Sequence, residues 1–231
     1  AASLEQMTDV IVRQTNDLRR IVDEFSKFAR MPEPERRPES LTALVRDAVL
    51  LQQSGQPNVR IITDLADDPL SAEVDATMIH QALTNLIKNA GEAIETLQTK
   101  GNPPADHDPQ IRVTTQRSGT FAEIRIMDNG IGLPEDRARL FEPYVTTRSE
   151  GTGLGLPIVK KIIEEHGGTL ALQDAPLFDG QTRAGAMAVI RLLLAPAAGL
   201  ESQDANKSAQ TGEAEGQTPA LAGTAAVKTK E

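Results

Sequence analysis

At 231 residues the chain is long enough for one substantial core with appendages, or for two small domains. Hydrophobic residues make up 39% and charged residues 25%, an ordinary globular mix, and the formal net charge of −9 argues against non-specific binding to nucleic acid, which needs a basic surface. With no cysteine there is neither a disulfide framework nor thiolate chemistry, and no apolar run approaches the roughly 18 residues that cross a bilayer. The N-terminal stretch is charged and amphipathic rather than signal-like, and the Ala-Ala-Ser opening, without an initiator Met, reads as that of an excised fragment.

Residues 1 to 31 read as one helix. Leu4, Met7, Ile11, Leu18, Ile21, Phe25 and Phe28 recur at steps of three and four, and Gln14 alone breaks the stripe. A seam of this kind over about four heptads wants a partner helix, as in half of a helical hairpin within a dimeric bundle. The alternative is an amphipathic helix packed on its own domain. Met31-Pro32-Glu33-Pro34 ends it, because proline lacks the backbone donor and clashes with a continuing helix. A second helix is expected over residues 40 to 53 with Ser40 as its N-cap, then a strand from Val59 to Leu65. Residues 77 to 98 form a longer helix carrying Met78, Ile79, Leu83, Leu86, Ile87, Ala90, Ile94 and Leu97. A polar loop leads from Gly101 to Pro109. Ile111 to Arg117 and Phe121 to Met127 then alternate like a hairpin about Ser118-Gly119-Thr120. A short helix is predicted from Glu135 to Leu140, no periodicity from Glu142 to Gly151, and a helix from Leu154 to His166 stopped by Gly167-Gly168. Leu170 to Gln173 and Ala186 to Leu194 are the last strands. Beyond Gly199 the composition is that of a disordered tail.

Three clusters carry chemistry. On a helical wheel Asn85 and Asn89 share a stripe at the edge of the apolar arc of residues 77 to 98, with Ala82 and Ala93 between them and the core. Amides so placed line a pocket wall, and asparagine is a mediocre helix former that asks for a reason; two surface amides at this spacing by chance is the competing reading. Asp128 ends a strand and is followed by glycines at alternate positions, Gly130 and Gly132, which let another group approach the backbone. Its carboxylate suits an exocyclic amine; a plain Asp-Asn-Gly turn is the alternative. Gly151-Thr152-Gly153-Leu154-Gly155-Leu156 opens a helix, where free N–H groups and the dipole favour phosphate. It is neither a P-loop nor a dinucleotide fingerprint, since no Gly-Lys-Ser/Thr follows and no strand leads directly into it. A hinge would also account for that cluster taken alone.

The order and spacing of the set resemble the ATP-binding catalytic domain of bacterial sensor histidine kinases, within the gyrase, chaperone, kinase and mismatch-repair ATPase superfamily, over roughly residues 34 to 196. Asn85 to Ala93 looks like the N box, Asp128 to Gly132 like the first glycine box, Leu140 to Thr147 like the F box, and Gly151 to Leu156 like the second glycine box. The resemblance implies a two-layer α/β sandwich of the Bergerat type, a mixed sheet with helices on one face, preceded by one long coiled-coil-like helix. It further implies that Asn89 ligates Mg²⁺ with Asn85 supporting the phosphates, that Asp128 takes the adenine amine, and that Gly130 and Gly132 shape the base pocket. Residues 142 to 152 would be an ATP lid that orders around the nucleotide. Thr147, Arg148, Gly151, Thr152, Gly153, Leu154, Gly155 and Leu156 would surround the phosphates, with Lys88 a further phosphate contact. Val22 to Pro32 resembles the end of the second dimerisation helix of nitrogen-regulation sensor kinases of the NtrY and NtrB type. Residues 1–33 are then part of a dimerisation domain, 34–198 the catalytic domain and 199–231 a tail. The implied activity is transfer of the ATP γ-phosphoryl to a histidine and thence to a response-regulator aspartate. The implied setting is the cytoplasmic part of a homodimeric parent anchored in the bacterial inner membrane.

Departures from the family pattern are informative. His80, His107 and His166 are the only histidines, and none has the family's His-Glu/Asp context, so the chain is expected to bind ATP without phosphorylating itself. Gly185-Ala186-Met187 stands where a hydroxyl residue often helps to hold the base, and Arg148 where lysine is frequent. An ATP hydrolase of the same superfamily is the rival enzyme, but it would carry glutamate at the Asn85 position, and asparagine cannot take a proton from water. A non-catalytic dimerising scaffold is the alternative from another class.

Overall fold

Strand side chains alternate between faces, and that alternation in Phe121–Asp128 organises the molecule. Ala122, Ile124 and Ile126 join the main apolar core on one face, Met127 a smaller one on the other, and Asp128 is the last residue in the core-facing register. The computed structural model describes residues 2–68, 70–145 and 152–196. The elements run α1 (Ala2–Ala29), β1 (Arg37–Ser40), α2 (Leu41–Gly55), β2 (Arg60–Asp64), β3 (Ser71–Val74), α3 (Ala76–Lys100), β4 (Gln110–Ser118), β5 (Phe121–Asp128), a 3₁₀ turn (Ala138–Phe141), α4 (Gly155–Glu165), β6 (Thr169–Asp174) and β7 (Ala186–Leu193).

Five strands form a mixed sheet in the order β2-β4-β5-β7-β6, with β2 parallel to β4 and the other neighbours antiparallel. Helices α2, α3 and α4 cover one face and close the core between Val45, Ile87 and Ile162 on the helices and Ile111, Ile124 and Ile190 on the sheet. On the other face Glu123 is almost wholly buried, paired with Arg125 (2.5 Å) and Arg191 (2.7 Å). Burial pushes the Glu123 carboxyl up, but the Arg191 and Arg125 guanidiniums outweigh it and hold the group below the usual carboxylate range.

Local sequence explains the element ends. Ser40 Oγ accepts from the Ala43 N–H and Asp75 Oδ1 from the Met78 N–H, so α2 and α3 both begin on a side-chain cap. Past the end of α4 the Gly168 N–H donates to the Ile163 carbonyl and the Gly167 N–H to that of Glu164, the paired bonds of a Schellman stop. His166 locks this end to α3: Nε2 accepts from the Asp75 N–H (3.0 Å), so Nδ1 carries the proton it donates to the Ile162 carbonyl (2.7 Å).

Two expectations are corrected. The short helix predicted from Glu135 to Leu140 is a 3₁₀ turn at Ala138–Phe141, and Arg137, just before it, donates to both carboxylate oxygens of Asp174 (2.8 Å each). A two-stranded sheet of β1 and β3, unpredicted from the sequence, joins Arg37–Ser40 to Ser71–Val74. Arg-Pro-Glu-Ser offers no apolar alternation, and proline is tolerated there because the strand lies at an edge. On the seam of α1 the described residues Met7, Ile11, Leu18 and Phe25 are exposed. Phe25 stacks on Tyr144 with ring centroids 6.3 Å apart. The tail beyond Gly199 lies outside the described residues.

Candidate nucleotide-binding site

Asp128 enters the site from the core side of β5. It is 4% exposed, and Oδ1 accepts from the Gly130 N–H (2.8 Å) and the Ala186 N–H (3.3 Å). Burial pushes its carboxyl up to about 6, against the pull of those two N–H groups. The two glycines of the turn do different work. A Cβ at Gly130 would lie 2.5 Å from the Ala93 backbone carbon and 2.6 Å from the Ile94 nitrogen, so the turn rides directly on α3, where the Ile131 N–H donates to the Ala93 carbonyl. Gly132 has open space around it, but its φ of +83° is one that residues with a Cβ rarely adopt.

Asn85 and Asn89 are half-buried on the flank of α3, with Ala82 wholly buried behind them. Gly155, the first residue of α4, faces Asn89: a Cβ there would stand 3.9 Å from Asn89 Oδ1. The N-terminal turn of an 11-residue helix thus opens beside an amide oxygen, with Leu154 buried beneath it. Thr152 Oγ1 accepts from the Leu154 N–H, and Gly153 (φ +69°) lies so close to Tyr144 that a Cβ would meet its backbone at 2.6 Å. Tyr144 has a positive φ of 66° itself, and its N–H donates to the Gly153 carbonyl. Leu156 is partly buried and packs on the core. Lys88 lies exposed with Glu92 as its ion-pair partner (3.8 Å). Thr147, Arg148 and Gly151 lie outside the described residues.

The sequence reading missed three residues around the Asp128 turn. Asn129 is buried, with Nδ2 donating to the Asp108 carbonyl (2.7 Å) and Oδ1 accepting from the Gln110 N–H (2.9 Å). His107 Nε2 donates to the Asn129 carbonyl, and Arg183 reaches the Gly130 and Ile131 carbonyls. No sequence periodicity marks them, because each is brought in by a loop. A cavity of about 730 Å³ opens elsewhere, between the end of α1 and the start of α3, lined in part by Arg30, Met31, Glu35, Asp75 and Gln81 but by none of the candidate site residues.

A helix-backed sheet with a buried carboxylate at a strand end and an amide stripe facing a glycine-opened helix defines a nucleotide-binding α/β domain. The chain belongs to the family of histidine kinase-, DNA gyrase B- and HSP90-like ATPases, whose model matches residues 74–196. It is 48% identical over 173 residues to nitrogen regulation protein NtrY of Azorhizobium caulinodans, covering 74% of this chain and 22% of that protein. The chain therefore spans about a fifth of the length of that relative. Among solved structures it is similar to the catalytic domain of histidine kinase ThkA (28% identity, TM-score 0.56, 70% of this chain and 99% of that one). It also shares its fold with ThkA solved in complex with the response regulator TrrA (24% identity, TM-score 0.62, 84% of this chain and 52% of that one).

Proposed function

We propose that this domain holds ATP with the adenine amine on Asp128 Oδ2 and the phosphates between the Asn85–Asn89 stripe and the first turn of α4. One observation carries the reading: Asp128 is a buried carboxylate whose hydrogen bonds fall on one oxygen, at a strand end opened by glycines. An ionised carboxylate accepting from an amine contributes roughly 1.5–3 kcal/mol, enough to select the base. Asn89 suits Mg²⁺ by its chemistry, since an amide oxygen is a hard donor and Mg²⁺ takes the rest of its shell from phosphates and water. The bound ion would neutralise phosphate charge. Asn85 beside it cannot act as a base toward water, which favours phosphoryl transfer to another acceptor over hydrolysis.

In the parent protein the γ-phosphoryl would pass to a histidine outside this chain, and from there to an aspartate of a response regulator in a nitrogen-regulation pathway. Positioning and charge neutralisation would carry most of that catalysis. The family membership, the NtrY relative and the fold shared with ThkA support this. Neither His166, with both ring nitrogens engaged, nor His107, bonded to the Asn129 carbonyl, is placed as an acceptor. Residues 1–33 would be the second helix of a dimerisation domain pairing through the exposed seam, 34–198 the catalytic domain and 199–231 a tail. The parent would be anchored in the inner membrane, with this part in the cytoplasm; no helix among the described residues is long and apolar enough to cross a membrane.

Calorimetric titration with a non-hydrolysable ATP analogue, with and without Mg²⁺, tests the reading. Saturable binding that Mg²⁺ strengthens is expected, with the Mg²⁺ effect lost in Asn89→Ala. No binding would favour the scaffold alternative. Rapid phosphate release from ATP that Asn85→Ala abolishes would favour the hydrolase.

A further inference from the structure

The segment between β6 and β7, residues 175–185, takes no part in the core that the helices cover, yet it is fastened at both ends and in the middle. The Ala175 N–H donates to the Gly185 carbonyl (3.0 Å), closing its base. Ala175 and Phe178 pack with Met127 and Met187 in the small apolar cluster on the outer face of the sheet, and the Arg112 guanidinium lies 4.3 Å over the Phe178 ring. Asp179 pairs with Arg112 and Thr182 bonds to Asp106, while Gln181, Arg183 and Gly185 are directed at the Asp128 turn. Arg183 forks onto two successive carbonyls of the Asp128 turn, Nε to Gly130 (3.2 Å) and Nη2 to Ile131 (3.1 Å). Gln181 Oε1 accepts from Asn129 Nδ2 (3.3 Å). Gly185 lies so close that a Cβ would stand 2.3 Å from Asp128 Oδ1, and the next residue supplies the Ala186 N–H to that same oxygen.

We propose that this strap sets the base selectivity of the site, with Arg183 as the positioning residue that holds the Asp128 turn against α3. The inference rests on the reading of Asp128 as the base-recognition carboxylate. Arg183 does not touch that carboxylate. It satisfies the turn's outward carbonyls, so the Gly130 N–H stays on Oδ1 and Oδ2 keeps one direction toward the ligand. A planar guanidinium bonds two neighbouring carbonyls at once, whereas an ammonium is a point donor that does not reproduce the fork. Arg183 and His107 are the charged or titratable side chains hydrogen-bonded to this turn among the described residues, and the influences lowering the Asp128 carboxyl are backbone N–H groups.

The test compares a non-hydrolysable ATP analogue with its inosine counterpart, which carries a carbonyl in place of the exocyclic amine, on the full chain and on Arg183→Lys and Arg183→Gln. The wild type is expected to prefer the adenine ligand by about 10- to 100-fold, the discrimination one charge-assisted hydrogen bond supplies. Both variants are expected to lose about 10-fold of that preference through weaker adenine binding, with inosine binding unchanged. A variant that loses affinity for both ligands in the same proportion makes Arg183 merely structural and overturns the inference, as does a preference left intact in Arg183→Lys. A wild type that binds both ligands equally overturns the reading of Asp128 itself, and this inference with it.

Discussion

Helices α1 and α3 are of similar length, 28 and 25 residues, and both carry an apolar stripe at helical spacing, yet their surroundings are opposite. In α3 the stripe is sealed: Ile79, Leu83, Ile87, Ile94 and Leu97 are at most 1% exposed beneath the sheet. In α1 the described stripe residues Met7, Ile11 and Leu18 are more than 60% exposed. An amphipathic pattern states that a helix wants a partner; it does not say whether that partner lies in the same domain. For α3 it is the sheet, and on the remaining flank Asn89 lies beside Gly155 at the start of α4. For α1 the described seam residues Met7, Ile11 and Leu18 stay exposed and only Phe25 meets a ring of the same chain, in keeping with the proposed pairing between chains.

Substitutions can break or sharpen this contrast. Ile87→Ala opens a cavity at a wholly buried position and should lower unfolding stability in urea by about 3 kcal/mol. Gly130→Ala attacks the seat of the turn on α3, where the nearest atoms are backbone and cannot swing aside, and should destabilise by upwards of about 2 kcal/mol. Asp128 supplies the pH-dependent case. Its carboxyl is raised from 3.8 to about 6, so its stabilising contribution to the ligand-free fold is full below pH 3.8 and is lost as pH rises through 6. Charging it in the fold costs about 3 kcal/mol, since each pKa unit corresponds to about 1.4 kcal/mol. Asp128→Asn should therefore unfold no earlier than wild type at pH 7.5 while binding the ATP analogue at least about 10-fold more weakly. Wild-type affinity should strengthen as pH rises through 6, because the amine needs the ionised carboxylate. A pH profile that is flat from 5 to 8 would contradict this.

Smaller effects lie at the helix ends and on the open seam. Asp75→Ala removes the cap of α3 and the acceptor of the Glu35 N–H, and should cost about 1–2 kcal/mol in thermal or urea unfolding. Leu18→Ala should change the unfolding of dilute protein by less than about 0.5 kcal/mol, because the side chain has no cover to lose. The same change should weaken self-association in sedimentation equilibrium. A clean monomer at high concentration, before and after the substitution, would remove the case for pairing through α1.

What could be read from the chain divides along physical lines. Long elements with period 3.6 or 2 were legible because burial of one face repeats along the sequence, and α3, β4 and β5 lie within two residues of their predicted bounds. The two short strands β1 and β3 were not: Arg37–Ser40 has no apolar alternation, the alternation of Ala72 and Val74 in β3 runs over only four residues, and their pairing exists only because the chain between them folds back. In the candidate site, Asn89 stood out as a mediocre helix former, Asp128 by the alternate glycines that follow it and Gly155 by the glycine-rich start of a helix, all signals present in sequence. Asn129, His107, Gln181 and Arg183 sit in loops and owe their roles to contacts with groups up to 53 residues away.

The sequence alone determined the order of the longer elements, the helix cap at Ser40, the glycine stop after α4, and the three clusters where chemistry is concentrated. These depend on interactions within a few residues, or on a periodicity that one strand or helix imposes on itself. The tertiary structure decided that Asp128 would be buried rather than solvated, that Gly130 is required by the approach of α3 and Gly132 by its own backbone angle, and that Arg183 would clamp the turn. A carboxylate's desolvation, a glycine's nearest neighbour and a guanidinium's reach are set by segments distant in the chain, and they acquire values only when the sheet brings those segments together.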